Sequence, residues 1–451
     1  MSRSRSEPPE SAAIRPFHLP PVVADALANG LQLRSMRRAS VPLASATLVL
    51  DAGEMGLAEE RAGLAVLAGE TLQGGTARRT GTELAEALEG LGSAFRVATG
   101  WDGTTIGFTC LAERFDEMFA LLSEMVQGPS FPSDEVERVR NQRLAAIAQR
   151  RMDPGDLADD AMDRTAFDVR HPYHRPLAGT EASIGALGPE AVRAFATSRY
   201  SPAGGGLVVV GDLLPDHVTE IARRHLGEWT APTDAGPSSP LPPGSVERRV
   251  VIVRRPGAVQ SEIRIGHVGP QRGVSDEIPL RVANLVLGGA FTSRLNLSLR
   301  ERHGFTYGVH SHFSFRRSGG AFTIGTAVQT EVTAPALAEA MAVVRRFADE
   351  GPTADELDRA RDYLAGVFPL RMETTAQLAG RLAELVLFRL PDDYHHLFRE
   401  RIRAVTLESA RAAVRAHLHP ERAGVVVVGD AERILPEVEA LELGSVEVLD
   451  G

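Results

Sequence analysis

Short β-branched runs bounded by turn formers alternate along this chain with longer stretches in which apolar residues return every three or four positions. "SATLVLDAG" from Ser45 and "RVVIVRR" from Arg249 have the first pattern and predict strands. "EERAGLAVLAGETL" from Glu59, "FDEMFALLSEMV" from Phe115 and "APALAEAMAVVRRFADE" from Ala334 have the second and predict helices, the first two with acidic residues near their starts. "GGLVVVGD", ending at Asp212, and "AGVVVVGD", ending at Asp430, are strands again. Strands and helices mixed in this way predict an α+β protein, with antiparallel sheets that each carry helices on one face.

The pattern occurs twice. Pro202 and Pro420, Gly211 and Gly429, and Asp212 and Asp430 all lie 218 residues apart, and "SDEVERVRN" from Ser133 matches "ADELDRARD" from Ala354 at a spacing of 221. Order, spacing and pattern together mark an internal duplication. Between the copies, "APTDAGPSSPLPPGS" places five prolines in residues 231–245, the composition of a stiffened linker. The expected organisation is a disordered tail over 1–16, a first domain over 17–230, the linker, a second domain over 246–441 and a tail over 442–451.

A length of 451 residues agrees with two domains, since one core rarely organises so long a chain. A formal charge of −10 offers no electrostatic attraction for nucleic acid or an anionic membrane, so neither is expected as a partner. All 49 basic residues are arginine, which reads as genomic composition bias. Cys110 is the only cysteine, so it forms no intrachain disulfide and is expected as a buried strand thiol. The polar, Pro-rich start lacks the apolar run of a signal peptide, and a cytoplasmic location is expected.

Several segments are similar, in order, to the pitrilysin/insulinase group of zinc peptidases and to its mitochondrial processing peptidase-like branch. They are "GLAVLAGETLQGGT" from Gly63, "HPYHRPLAGTEASI" from His171, "SPAGGGLVVVGD" from Ser201, "VANLVLGGAFTSRLNLSLRERHGFTYGVHS" from Val282 and the closing "VVVVGD". The resemblance implies two homologous domains that form half of a clamshell. Active members resemble one another in an inverted His-x-x-Glu-His motif, whose histidines leave one helix face to bind zinc while the glutamate activates water. Here Val66, Gly69 and Glu70 stand at those motif positions, and Ala145 and Ala146 stand where the resemblance implies a further glutamate ligand. Between His18 and His171 there is no histidine at all, so an imidazole-based zinc site cannot form in this helix.

The remaining histidines offer no better metal site. His310 and His312 would share one face of a strand, a spacing metal sites use, but read better as a polar pair beside a cleft. The His171 to His174 segment contains Pro172 and reads as a turn, while His395 and His396 are neighbours facing different ways. In the second copy, Arg300 and Tyr307, with Gly304 as helix stop between them, resemble a pair that the family's C-terminal domain contributes to the active site. A phenol would stabilise charge developing on a scissile carbonyl, and a guanidinium would grip substrate carbonyls. The combination implies a subunit that binds no cofactor itself, with zinc expected in a homologous partner that has an intact His-x-x-Glu-His motif and peptides as substrates. The alternative is an inert structural or peptide-binding subunit. Gly288 and Gly289 read as a tight turn beside the pair.

Overall fold

A computed structural model describes residues 17–230 and 247–451; the expected tail over 1–16 and the Pro-rich linker lie outside the described residues. The first sheet contains β1 (Val23–Ala26), β2 (Gln32–Arg37), β3 (Leu43–Leu50), β4 (Arg96–Thr99), β5 (Thr104–Leu111) and β6 (Gly206–Gly211), in the order β1-β2-β6-β3-β5-β4. The second contains β7 (Arg249–Arg254), β8 (Gln260–Gly269), β9 (Val309–Ser314), β10 (Gly320–Gln329), β11 (Gly424–Gly429) and β12 (Ser445–Asp450), in the order β12-β7-β11-β8-β10-β9. From β2 and β7 onward the two orders are the same, so the duplication seen in the sequence is a duplication of the sheet.

Both sheets are mainly antiparallel. The central strands are exceptions, since β6 runs parallel to β2 and β11 runs parallel to β7, and so is edge strand β12 in the second sheet. Every residue of β6 and β11 is buried, which explains their unbroken valine runs: a strand covered on both faces has no polar side to alternate. The edges differ. β1 joins its sheet antiparallel from the N-terminal side, whereas β12 joins parallel to β7 from the C-terminal end. The expected tail over 442–451 is therefore corrected, because Ser445–Asp450 is an edge strand.

Helices cover both faces of each sheet, not one. One face packs on helices of its own half, giving the two large cores around residues such as Leu67, Phe119 and Val209 and around Ile265, Leu337 and Val427. The opposite face is covered by a helix from the other half. Helix Pro154–Ala166 lies on β11, β8 and β7, and helix Thr375–Leu387 lies on β3, β6 and β5. Each exchanged helix has a capped start: the Asp153 carboxylate accepts from the Asp156 N–H ahead of Pro154, and Thr374 forms a capping box with Gln377. Because each half covers the other's sheet, the halves are welded by apolar contact between Leu382, Val386 and Val208 on one side and Met162, Val426 and Val428 on the other. Among the described residues no helix is long and apolar enough to cross a membrane.

Candidate functional site

The helix Leu64–Thr71 packs against helices Ser133–Met152 and Pro189–Arg199 and against β4. It brings Val66, Gly69 and Glu70 beside the helix that carries Ala145 and Ala146. The donor set there does not fit zinc. Val66 is buried and apolar, and a side chain at Gly69 would begin with a Cβ in collision with Thr99 Oγ1. Glu70 is bound to Arg143, which donates from Nε to Oε2 at 3.2 Å and makes a second, closer contact through Nη2. An ion pair thus links two helices that the resemblance would link through a metal. Desolvation lowers the Arg143 pKa, but a guanidinium so far below its deprotonation range stays a cation and holds the carboxylate. Among the described residues no group of three or more His, Cys, Asp or Glu could hold a metal ion.

Glu54 is a residue that sequence reasoning missed. Its side chain is fully buried under the start of the same helix, where it accepts backbone N–H groups from Gly63 at 3.1 Å, Ala65 at 2.7 Å and Val66 at 3.3 Å. These are donors that a helix start leaves without internal partners. Burial pushes the Glu54 pKa up to about 7, against the opposing pull of those bonds and of Arg175, whose Nη2 lies 3.9 Å away. Nine residues separate Glu54 from the first N–H it binds, so no local capping pattern announces it.

Arg300 and Tyr307 lie in the other half, on a segment anchored to helix Thr333–Glu350 and β9. The helix Asn296–Arg302 has wide π-type turns and stops as expected, with Gly304 in the left-handed region at φ 65° and the Phe305 N–H bonded to Leu299 O. Tyr307 precedes β9. The Asn296 side chain bonds both backbone groups of Val309, and the Thr306 and Thr326 hydroxyls both donate to Gly308 O. This pinned loop leaves Tyr307 97% exposed. The Arg300 guanidinium sits over the Phe291 ring, 3.9 Å from its centroid, with Nη2 3.5 Å from Glu301 and Nη1 buried without a hydrogen-bond partner. No hydrogen bond or ring contact joins Arg300 to Tyr307 among the described residues, so the structure puts them on one segment without pairing them.

The other sequence candidates have structural roles. His310 and His312 share a face of β9 with rings stacked at 6.1 Å, and His171 accepts from the Tyr173 N–H to form the turn Pro172–His174. His395 bonds Arg381 O and His396 bonds Pro20 O, both from turns. Cys110 is a buried β5 thiol whose pKa burial raises to about 11. Gly288 is a packing position more than a turn, because a Cβ there would lie 2.8 Å from the Ser311 backbone N on β9.

Two profiles of one family match the chain in succession. The profile described as "Insulinase (Peptidase family M16)" matches residues 35–181, and that described as "Peptidase M16 inactive domain" matches residues 186–364. The chain belongs to the M16 peptidase family. An uncharacterized zinc protease of Mycobacterium tuberculosis is 27% identical to this M16 chain over 367 residues, covering 80% of the chain and 83% of that protein. The non-peptidase homolog YmxG of Helicobacter pylori is 25% identical over 358 residues, covering 79% and 82% respectively. The crystal structure of a peptidase M16 inactive domain from Pseudomonas fluorescens superposes with a TM-score of 0.85 at 26% identity, covering 91% of this chain and 98% of that one. A protease from Helicobacter pylori shares the fold with the same TM-score at 18% identity, covering 91% of this chain and 100% of that one. In the motif helix of this M16 chain, Val66, Gly69 and Glu70 present one carboxylate and no imidazole.

Proposed function

We propose that this chain is the non-zinc-binding subunit of a two-chain peptidase that degrades or processes peptides. A homologous partner with an intact His-x-x-Glu-His motif supplies the zinc, and this chain supplies substrate contacts through Arg300 and Tyr307. The observation that carries the reading is the display of Tyr307. A loop hydrogen-bonded on both sides holds a phenol almost wholly in water, where it contributes nothing to the stability of the isolated chain. Arg300 supports the same reading, because its inner Nη1 lacks an acceptor while its ring partner Phe291 is itself 68% exposed. In a closed complex the phenol would donate to the oxygen on which charge develops, and the guanidinium would hold a substrate carbonyl. Both proteins would act in the cytoplasm.

Co-purification with an M16 homologue carrying the zinc motif, followed by a peptidase assay, tests this. The chain alone is expected to hold no stoichiometric zinc and to cleave nothing. In the reconstituted pair, Tyr307→Phe should lower kcat roughly 100- to 1000-fold with little change in KM, as for a lost oxyanion donor. Arg300→Ala should also raise KM. Wild-type activity in both variants would leave the second reading, an inert peptide-binding or structural subunit.

A further inference from the structure

A cavity of about 360 Å³ lies in the second half, between helix Glu277–Asn284, the end of helix Ala354–Val367 and the exchanged helix Thr375–Leu387. Its volume is in the range of small-molecule sites, roughly 300 to 1,000 Å³. Phe313, Phe315, Phe388 and Phe398 form much of its wall, and Arg272, Arg281, Arg371 and Arg381 also line it.

Three of the four guanidiniums are paired with two carboxylates, Glu277 and Glu384, and the hydrogen bonds show what is left over. Glu277 is nearly inaccessible and is saturated: it takes Arg272, Nε of Arg281 at 2.8 Å, the Gly273 N–H at 2.8 Å and the Tyr394 hydroxyl at 3.1 Å. Glu384 takes Arg381 at 2.6 Å and Arg272 at 3.2 Å. Arg281 therefore uses only Nε. Its terminal nitrogens have no hydrogen-bond acceptor among the described residues, and its guanidinium lies 4.5 Å from the Phe315 ring centroid with 37% of the side chain still accessible. The Arg371 side chain has neither a hydrogen bond nor an ion pair among the described residues, and the residue is exposed. His395 brings no further charge, since burial lowers its pKa to about 4 and its Nε2–H donates to Arg381 O.

An aromatic-walled cavity with a surplus of two guanidiniums is complementary to an anion with a flat apolar body. We propose that it binds a small aromatic carboxylate, with the carboxylate on the free nitrogens of Arg281 and on Arg371 and the ring among the phenylalanines. A polyphosphate suits it less, because the other arginine donors are already held by Glu277 and Glu384. The same chemistry is offered by a free aromatic acid and by the C-terminal aromatic residue of a peptide. The proposal stands independently of the two-chain reading.

Titration calorimetry of the full chain with 3-phenylpropionate and its neutral amide tests it. The acid should bind saturably with a Kd on the order of 1 mM, as suits so small a ligand, and the amide at least about tenfold more weakly. Arg281→Gln should weaken the acid about tenfold; because it also disturbs Glu277, the exposed Arg371→Gln is the deciding variant, with a loss of about threefold expected at unchanged circular dichroism. Acetylated dipeptides ending in phenylalanine, free or amidated, separate the two sources: binding of the free-acid peptide assigns the site to chain ends, and binding of phenylpropionate alone assigns it to a free acid. Equal binding of acid and amide, wild-type affinity in Arg371→Gln, or no saturation by about 10 mM would overturn the proposal.

Discussion

The two exchanged helices carry the same device and close it differently. Asp163, Phe167, Tyr173 and His174 have counterparts 221 residues later in Glu384, Phe388, Tyr394 and His395. In both places the Phe and Tyr rings flank a guanidinium. In the first it is Arg316, reaching from the β9–β10 turn of the other half to 4.3 Å from the Tyr173 ring and 5.9 Å from Phe167. In the second it is Arg272 of the same half, 5.0 Å from Tyr394 and 5.4 Å from Phe388. Arg272 is neutralised by Glu277 and Glu384, whereas Nη1 of Arg316 is buried without a hydrogen bond, and burial holds Asp163 near a pKa of about 7. The cage is thus present in both copies, and among the described residues only the second pairs its guanidinium with carboxylates. Next to Arg316, Arg317 ties the halves further through Asp51 and the Asp102 carboxylate, and it bonds Leu387 O of its own half.

The largest expected effect separates the two cages. Arg272→Ala removes one cation from both Glu277 and Glu384 and should cost about 4 kcal/mol in urea unfolding, whereas Arg316→Ala should cost about 2 kcal/mol. The Arg316→Ala loss should shrink from pH 8 to pH 5, because Asp163 can then be neutral; equal losses for both arginines at both pH values would erase the distinction.

Leu382→Ala installs in the second exchanged helix the residue that the first has at the equivalent position, Ala161. Leu382 is buried against the first sheet, so the cavity should lower stability by about 3 kcal/mol. A loss below about 1 kcal/mol would mean that this helix contributes little to the weld.

Glu54 tests the start of the motif helix. A carboxyl raised from 4.5 to about 7 on folding binds more protons in the folded state between those values. Stability from it is fully present below pH 4.5 and is lost as pH rises through about 7. Glu54→Gln should therefore be nearly neutral at pH 5 and stabilising, relative to wild type, by on the order of 2 kcal/mol at pH 8. A pH-independent difference would show that Glu54 is not charged and uncharged in that window.

The smallest effect is expected at Tyr307, where Phe should change the unfolding free energy by less than about 0.5 kcal/mol, as for an exposed position without partners. A larger loss would give the ring a structural role in the second half.

The duplication and the α+β class were legible in the sequence because each depends on local pattern. Spacings of 218 and 221 survive whatever the chain packs against, and a helix segment without histidine cannot present imidazoles. Arg300, Gly304 and Tyr307 were legible as a segment for the same reason. What tertiary structure alone decided was which surfaces meet. The apolar face of Thr375–Leu387 announces that it will be buried but not that it will lie on the other half's sheet, since burial of apolar area has no direction. Edge strand β12 needed β7 beside it, Glu54 needed a helix start nine residues away, and Arg316 needed aromatic rings from the other half. Each is a contact between segments distant in sequence or without a local pattern, and such contacts are chosen by the folded chain as a whole.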